Sequence, residues 1–227
     1  MILRFVRAGA VVMVAGAALA AFPVGAQGAT SGTSNDTQIA RQGALVTADV
    51  PADWTQKPAS SSSDAATEKA ASKIPECKQY VAFEKAVKKV PRAKSPDFDL
   101  QNSSISNTVS VFTNATKATA AMNVFGSSKT EACINKLFDK LLTTKDATVA
   151  SQIKLVALNV GDQSIAYAGT ITVTPAGTQA QTFGVSALAI RAGRGVGAYS
   201  YFSDTDQTSV LSSAVDSSMA RLRTALR

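Results

Sequence analysis

Histidine is absent from this 227-residue chain. That absence removes Ser-His-Asp and Cys-His catalytic arrangements, the usual imidazole general base and most zinc sites. Carboxylate-pair and Ser-Lys chemistry remain open, but no local motif supports either, so the chain reads as a non-enzyme. Cysteine is scarce: Cys77 and Cys133 are the only two. They lie too far apart for a redox Cys-x-x-Cys pair and read as one structural disulfide formed in an oxidising compartment. In the chain-entropy model a loop of that length is worth about 4 kcal/mol. The longest uncharged apolar run, Ala8 to Phe22, is fifteen residues, short of the roughly twenty that span a bilayer.

That run has its own meaning. Arg4 and Arg7 precede it, and Pro23-Val24-Gly25-Ala26 follows, with Val24 at −3 and Ala26 at −1 of a small-residue cleavage site. Residues 1–26 are therefore expected to be a cleavable signal peptide, the alternative being an uncleaved N-terminal anchor, and either sends the chain to a secreted or cell-envelope location. No cysteine stands at the cleavage site, so no lipid anchor and no transmembrane segment are expected after cleavage. The leader holds two basic residues and no acidic one, so its removal lowers the formal net charge from +7 to +5. That bias is too mild for nucleic acid, which calls for a denser basic patch. It suits anionic envelope polymers or lipid headgroups.

Residues 27–43 are rich in Gly, Ser and Thr, and predict a flexible tail ahead of one domain over 44–227. Leu45 to Val50 reads as a short strand ended by Pro51, with Trp54 anchoring the turn. Pro75 stands at a first helical turn. Cys77, Tyr80, Val81, Phe83, Ala86 and Val87 then recur at helical spacing until Pro91. Strands follow around Phe98 and from Ile105 to Phe112. Asn114 is placed to cap a helix carrying Ala118, Ala121, Met122 and Phe125, and a further helix runs from Thr130 to Leu142. From Val149 the period changes to two, with turns at Gly161-Asp162, Pro175-Ala176-Gly177 and Gly193-Arg194-Gly195. A last helix from about Gln207 carries a wide apolar stripe. The pattern predicts an α+β two-layer domain, an antiparallel β-meander packed by helices on one side, with its Thr/Ser-rich face partly open to water.

Several residues are candidates for function. Trp54, Tyr167, Tyr199 and Tyr201 can line an apolar pocket with polar tips, for a small apolar or amphipathic ligand. Lys78, Lys85, Lys88, Lys89 and Arg92 form the densest basic segment. Lys78, Lys85 and Arg92 are seven apart and share a face if the helix extends that far, a candidate docking surface for anionic envelope polymer or lipid. Arg191 and Arg194 flank a glycine and can present a fork to an anion. Asp97 and Asp99 share a strand face, but two carboxylates are too few for calcium, and no metal or cofactor is expected. Asp204 and Asp206 suit the N-terminal end of the last helix.

The chain also resembles a family. Val50-Pro51-Ala52-Asp53-Trp54 is similar to the Pro-x-x-Trp entry of actinobacterial secreted sensor-domain proteins, the group that includes the extracellular domains of PknH-type kinases. Val109 to Ala118 is similar to that family's strand-to-helix V-x-V-F-x-x-A-x-x-A. Cys133, Val160-Gly161-Asp162 and Arg191 to Val196 follow in the same order, over roughly residues 45–226. The resemblance implies an extracytoplasmic ligand-binding or sensing role, with a cleft between sheet and helices. The kinase sensor domain carries a second disulfide that this chain lacks. A weaker similarity is to PsbP-like domains, with an early strand ending near a Pro…Trp pair.

Overall fold

The computed structural model describes residues 31–59, 62–205 and 208–227. The expected leader, residues 27–30 and Asp206 lie outside the described residues. Eight strands form one sheet: β1 Thr55–Lys57, β2 Arg92–Lys94, β3 Asp97–Leu100, β4 Ser103–Val111, β5 Ala147–Val156, β6 Gln163–Pro175, β7 Gln181–Ala192 and β8 Gly195–Ser203. All their pairings are antiparallel, in the order β1-β3-β4-β8-β7-β6-β5, with β2 also paired to β4. β2 and β3 follow one edge of β4, interrupted at Ser95-Pro96. Proline has no N–H to give to the ladder. Ser95 bridges the gap, donating its N–H to the Asn107 carbonyl and accepting the Asn107 N–H at Oγ.

β5 to β8 are the expected meander. Leu155 pairs with Tyr167, Tyr167 with Ala187, and Leu188 with Tyr199. Ala192 pairs with Gly195, which leaves Gly193-Arg194 as a two-residue turn; Gly193 has φ 54°, a backbone state glycine reaches without strain. Gly169 of β6 answers a different need. A Cβ there would stand 1.9 Å from the Gln152 carbonyl oxygen of β5, so the two strands can approach only over a bare Cα.

Six helices are present among the described residues: α1 Ser31–Gly43, α2 Ser62–Ala71, α3 Lys78–Val87, α4 Ala115–Phe125, α5 Ser128–Leu142 and α6 Thr208–Ala225. The α+β class stands as read from the sequence, but the layering is wider. On β7, Phe183, Val185, Ala187 and Ala189 face one core with Met122, Phe125 and Leu137 of α4 and α5. The alternate residues Leu188, Ile190 and Ala192 face a second core with Ile39, Ala40, Leu211 and Met219 of α1 and α6. Helices therefore cover both faces, not one. From Ser31 onward the expected tail is helix α1, because Ile39 and Ala40 supply enough apolar contact to meet the α6 stripe. The far face is left to water over β5 and β6, where Thr148, Thr170 and Thr174 are exposed, as the Thr-rich face predicted.

Polar ties hold α1 in place. The Arg221 guanidinium of α6 donates to both Asp49 carboxylate oxygens at 2.6 Å, and to the Gln42 and Ala44 carbonyls at 3.0 Å. The hydrogen bonds to that almost wholly buried carboxylate hold the Arg221 pKa above its ordinary value. Asp49 also accepts the Val46 N–H, so Leu45–Val50 is a loop with a 3₁₀ turn at Thr47–Asp49 and not the expected strand. Trp54 does anchor the turn, as one of the buried residues of this core. Beneath it, buried Asn107 accepts the Leu45 N–H and donates to the Gly43 carbonyl, while Ser218 donates to Gly43 at 2.6 Å and meets the Tyr199 hydroxyl at 2.7 Å. Every member of this buried network is hydrogen-bonded, the condition under which such a network is tolerated.

The Cys77–Cys133 disulfide is formed, with Cα atoms 4.7 Å apart, and ties the 3₁₀ turn Pro75–Cys77 that leads into α3 to α5. α5 also closes the sheet edge. Glu131, Asn135 and Asp139, four residues apart on one helix face, accept the N–H groups of Leu155, Ile153 and Ser151 at 2.8, 2.8 and 3.0 Å. Asn135 donates in return to the Ile153 carbonyl at 2.7 Å. The match is one of pitch: four helical residues rise about 6 Å and two strand residues about 6.7 Å. Side chains of α5 thus occupy the place of a ninth strand, which protects an edge otherwise open to another chain.

Candidate functional site: an apolar groove between two helices

The four aromatic residues expected to share a pocket do not meet. Tyr167 lies in the core under α4 and α5, stacked edge-on against Phe125 at 5.3 Å, with its hydroxyl donating to the Phe125 carbonyl at 2.6 Å. Trp54, Tyr199 and Tyr201 lie in the core on the opposite face. Alternation along the strands sends these side chains to different layers. Burial pushes the Tyr167 and Tyr199 hydroxyls up to about 12. All four fill core.

The basic segment is divided as well. α3 ends at Val87, so Arg92 leaves the helix and stands on β2 opposite Ser110. Lys88 is half-buried and pairs with Glu68 of α2. Lys78, Lys85 and Lys89 remain exposed. The Arg191–Arg194 fork is engaged within the fold: Arg194 donates to both Asp36 oxygens at 2.7 and 2.9 Å, and Arg191 to Asp162 at 3.3 Å. Asp36 accordingly holds the Arg194 pKa above its usual value. Asp99 pairs with Lys57 at 2.5 Å. Asp204 accepts from Asn102 at 2.6 Å. No group of three or more metal-ligating side chains gathers among the described residues.

A candidate site lies where the sequence offered only core. α3 and α4 diverge over a groove of about 810 Å³. Phe83, Val87 and Val90 form one wall, Ala121 and Val124 the other, and Phe112 closes one end. The cause is local. The first two turns of α4 are Ala115-Thr116-Lys117-Ala118-Thr119-Ala120-Ala121, and alanine carries too little volume to fill the gap to α3. Asn114 fixes where that helix starts, accepting the Lys117 N–H at 2.9 Å. Polar groups sit at the rim: exposed Gln79, Lys117 and Asn123. Phe83 and Glu84 also border two small voids of about 30 and 40 Å³ between these helices and β8, the second lined as well by Arg92, Thr108 and Ser110. A second open hollow of about 710 Å³ adjoins exposed Leu155 and Val156 at the end of β5, but Gln163, Ser164 and Asn123 make its lining more polar.

Charge around the groove is mostly positive, with Glu84 in the lining of the two adjoining voids. α4 has no acidic residue and α3 has only Glu84. Among the described residues, Lys78, Lys85, Lys89 and Lys117 have no carboxylate partner, whereas Lys57, Lys88 and Lys136 each have one. The alanine run of α4 is visible in the sequence, but only the structure shows Ala82 exposed and Phe83 half-exposed across from it on α3.

No family model matches the chain, and no curated protein matches it. Among solved structures, the extracellular domain of PknH from Mycobacterium tuberculosis is similar at 12% identity, over 65% of this chain and 76% of that one, with a TM-score of 0.35. This is a weak structural resemblance to a sensor-domain fold, and at that score it carries no argument about function.

Proposed function

We propose that this protein is an extracytoplasmic, non-enzymatic module that binds a small apolar or amphipathic ligand in the α3–α4 groove. The observation that carries the reading is the groove itself. Its volume of about 810 Å³ falls in the range of sites that bury most of a drug-sized ligand, and its apolar walls with a few polar rim groups have the composition of such sites. The disulfide supports an oxidising compartment, as does the leader-like run behind Arg4 and Arg7. The groove lining offers Ser127 and Lys117 but no carboxylate and no imidazole, a poor set for acid–base or nucleophilic chemistry.

The test is thermal shift of the mature protein against envelope lipids, wall fragments and small metabolites, because a ligand selective for the native state raises the midpoint. Ala82→Trp and Ala120→Trp, exposed positions on opposite walls, serve as blocked controls. A shift seen in the wild type and lost in both variants supports the reading. A shift retained in both places the ligand elsewhere.

A second reading is favoured by the exposed lysines of α3: docking on an anionic envelope polymer. Such binding would fall steeply with salt and would not change in the blocked variants.

A further inference from the structure

We infer that the groove's ligand is a single-chain amphiphile with an anionic headgroup, bound with the headgroup at the α3 C-terminal end. This rests on reading the groove as a binding site, and adds the ligand's class and direction. The lining runs along α3 from Gln79 to Val87, a length of about 12 Å at 1.5 Å per residue. Along α4 and the turn after it, the lining runs from Lys117 to Ser127. An apolar trough of that length between two helices has room for one extended tail.

The two ends differ in charge. Phe112 lies three residues ahead of α4 and shares a void with Val87 and Phe83, so the C-terminal end of α3 meets the N-terminal end of α4 there. Lys117 is in the first turn of α4, and Lys89 directly precedes lining residue Val90 in the turn after α3. Lys85, two residues ahead of Val87, lies on another face of α3 and outside the lining. Two cations without carboxylate partners among the described residues, Lys89 and Lys117, therefore stand at this end, where Glu84 and Arg92 line the adjoining void. The other end, around Gln79, Val124 and Ser127, carries neutral side chains in its lining, with Lys78 beside it. An anionic headgroup over Lys89 and Lys117 leaves the tail on Val87, Phe83 and Val124.

Isothermal titration with four dodecyl compounds below their micelle concentrations tests this: dodecyl phosphate, dodecanoate, dodecanol and dodecyltrimethylammonium. The expected result is that the two anions bind about tenfold more tightly than the cation, the size of one or two surface ion-pair interactions reversed in sign. The preference should shrink at high salt. It should vanish in Lys89→Glu/Lys117→Glu and persist in Lys78→Glu, while Ala120→Trp abolishes binding of all four. Equal affinity for anion and cation, with Ala120→Trp still blocking, would overturn the anionic class and leave the groove intact. An equal loss in Lys78→Glu would overturn the headgroup placement. Binding unchanged in Ala120→Trp, or no binding of any compound, would overturn the groove reading itself. Tight binding of a tail-free wall polyanion alone would favour the polymer-docking reading instead.

Discussion

Asn135→Ala should open the centre of the cap that α5 lays along the sheet edge, leaving Glu131 and Asp139 in place. The side-chain amide accepts the Ile153 N–H at 2.8 Å and donates to the Ile153 carbonyl at 2.7 Å, so both outward backbone groups of that residue depend on one side chain. Ile153 is 3% exposed, and water cannot readily take over both bonds. Leaving a buried backbone group unmet costs about 1–3 kcal/mol. Asn135 is itself half-buried, and its removal admits water to one of the two groups. The expected loss is therefore about 2 kcal/mol, the cost of the one group that stays unmet. For a domain of this size that lowers Tm by about 4–8 °C. Urea titration should show a lower midpoint at unchanged slope. Lys140→Ala, an exposed change on the same helix, should stay within about 0.5 kcal/mol. Size-exclusion chromatography at rising concentration should show self-association only in the Asn135 variant, because the bared edge can pair with another copy. A Tm drop below about 1 °C would refute the claim that α5 side chains complete the β5 ladder.

Further outcomes follow from the same structure. Replacing both Cys77 and Cys133 by alanine should cost about 4 kcal/mol by the loop-entropy relation, and reductant should lower the urea midpoint of the wild type but not of the variant. Arg221→Ala leaves Asp49 as a buried carboxylate without its cation; a loss of about 3–5 kcal/mol is expected, with Arg221→Lys restoring only part because it cannot grip both oxygens. Tyr167 and Tyr199 have folded-state pKa values raised to about 12 against an ordinary 10. The unfolded chain therefore loses their protons first, and their contribution, complete below pH 10, is lost as pH rises from 10 to 12. At pH 11 each should cost about 1.3 kcal/mol relative to pH 9. Tyr199→Phe should flatten the urea-midpoint profile over that interval.

The sequence made the strands and helices readable where one force acted alone. Period-two alternation over β6 and β7, the Asn114 cap and the two lone cysteines each had a single physical meaning. It misled where the deciding contact was distant. α1 reads as a tail because Ser, Thr and Gly dominate residues 27–43, and only the apolar stripe of α6 shows why Ile39 and Ala40 are enough. Leu45–Val50 has strand residues, yet Asp49 and Arg221 hold it as a loop across 172 positions. The aromatic residues were misplaced for a related reason: Tyr167 and Tyr199 are polar-tipped, but their hydroxyls find partners inside the core. The groove was hidden because it comes from missing volume. A run of alanines on one helix says nothing until another helix fails to close over it.

The claim that the α3–α4 groove holds an amphipathic ligand is tested most directly by methyl NMR of the mature protein titrated with dodecanoate. Shift changes should concentrate on Ala82, Val87, Val90, Ala121 and Val124, with the exposed Leu155 and Val156 unmoved. Changes confined to Leu155 and Val156, or none at any methyl group at saturating dodecanoate, would contradict it.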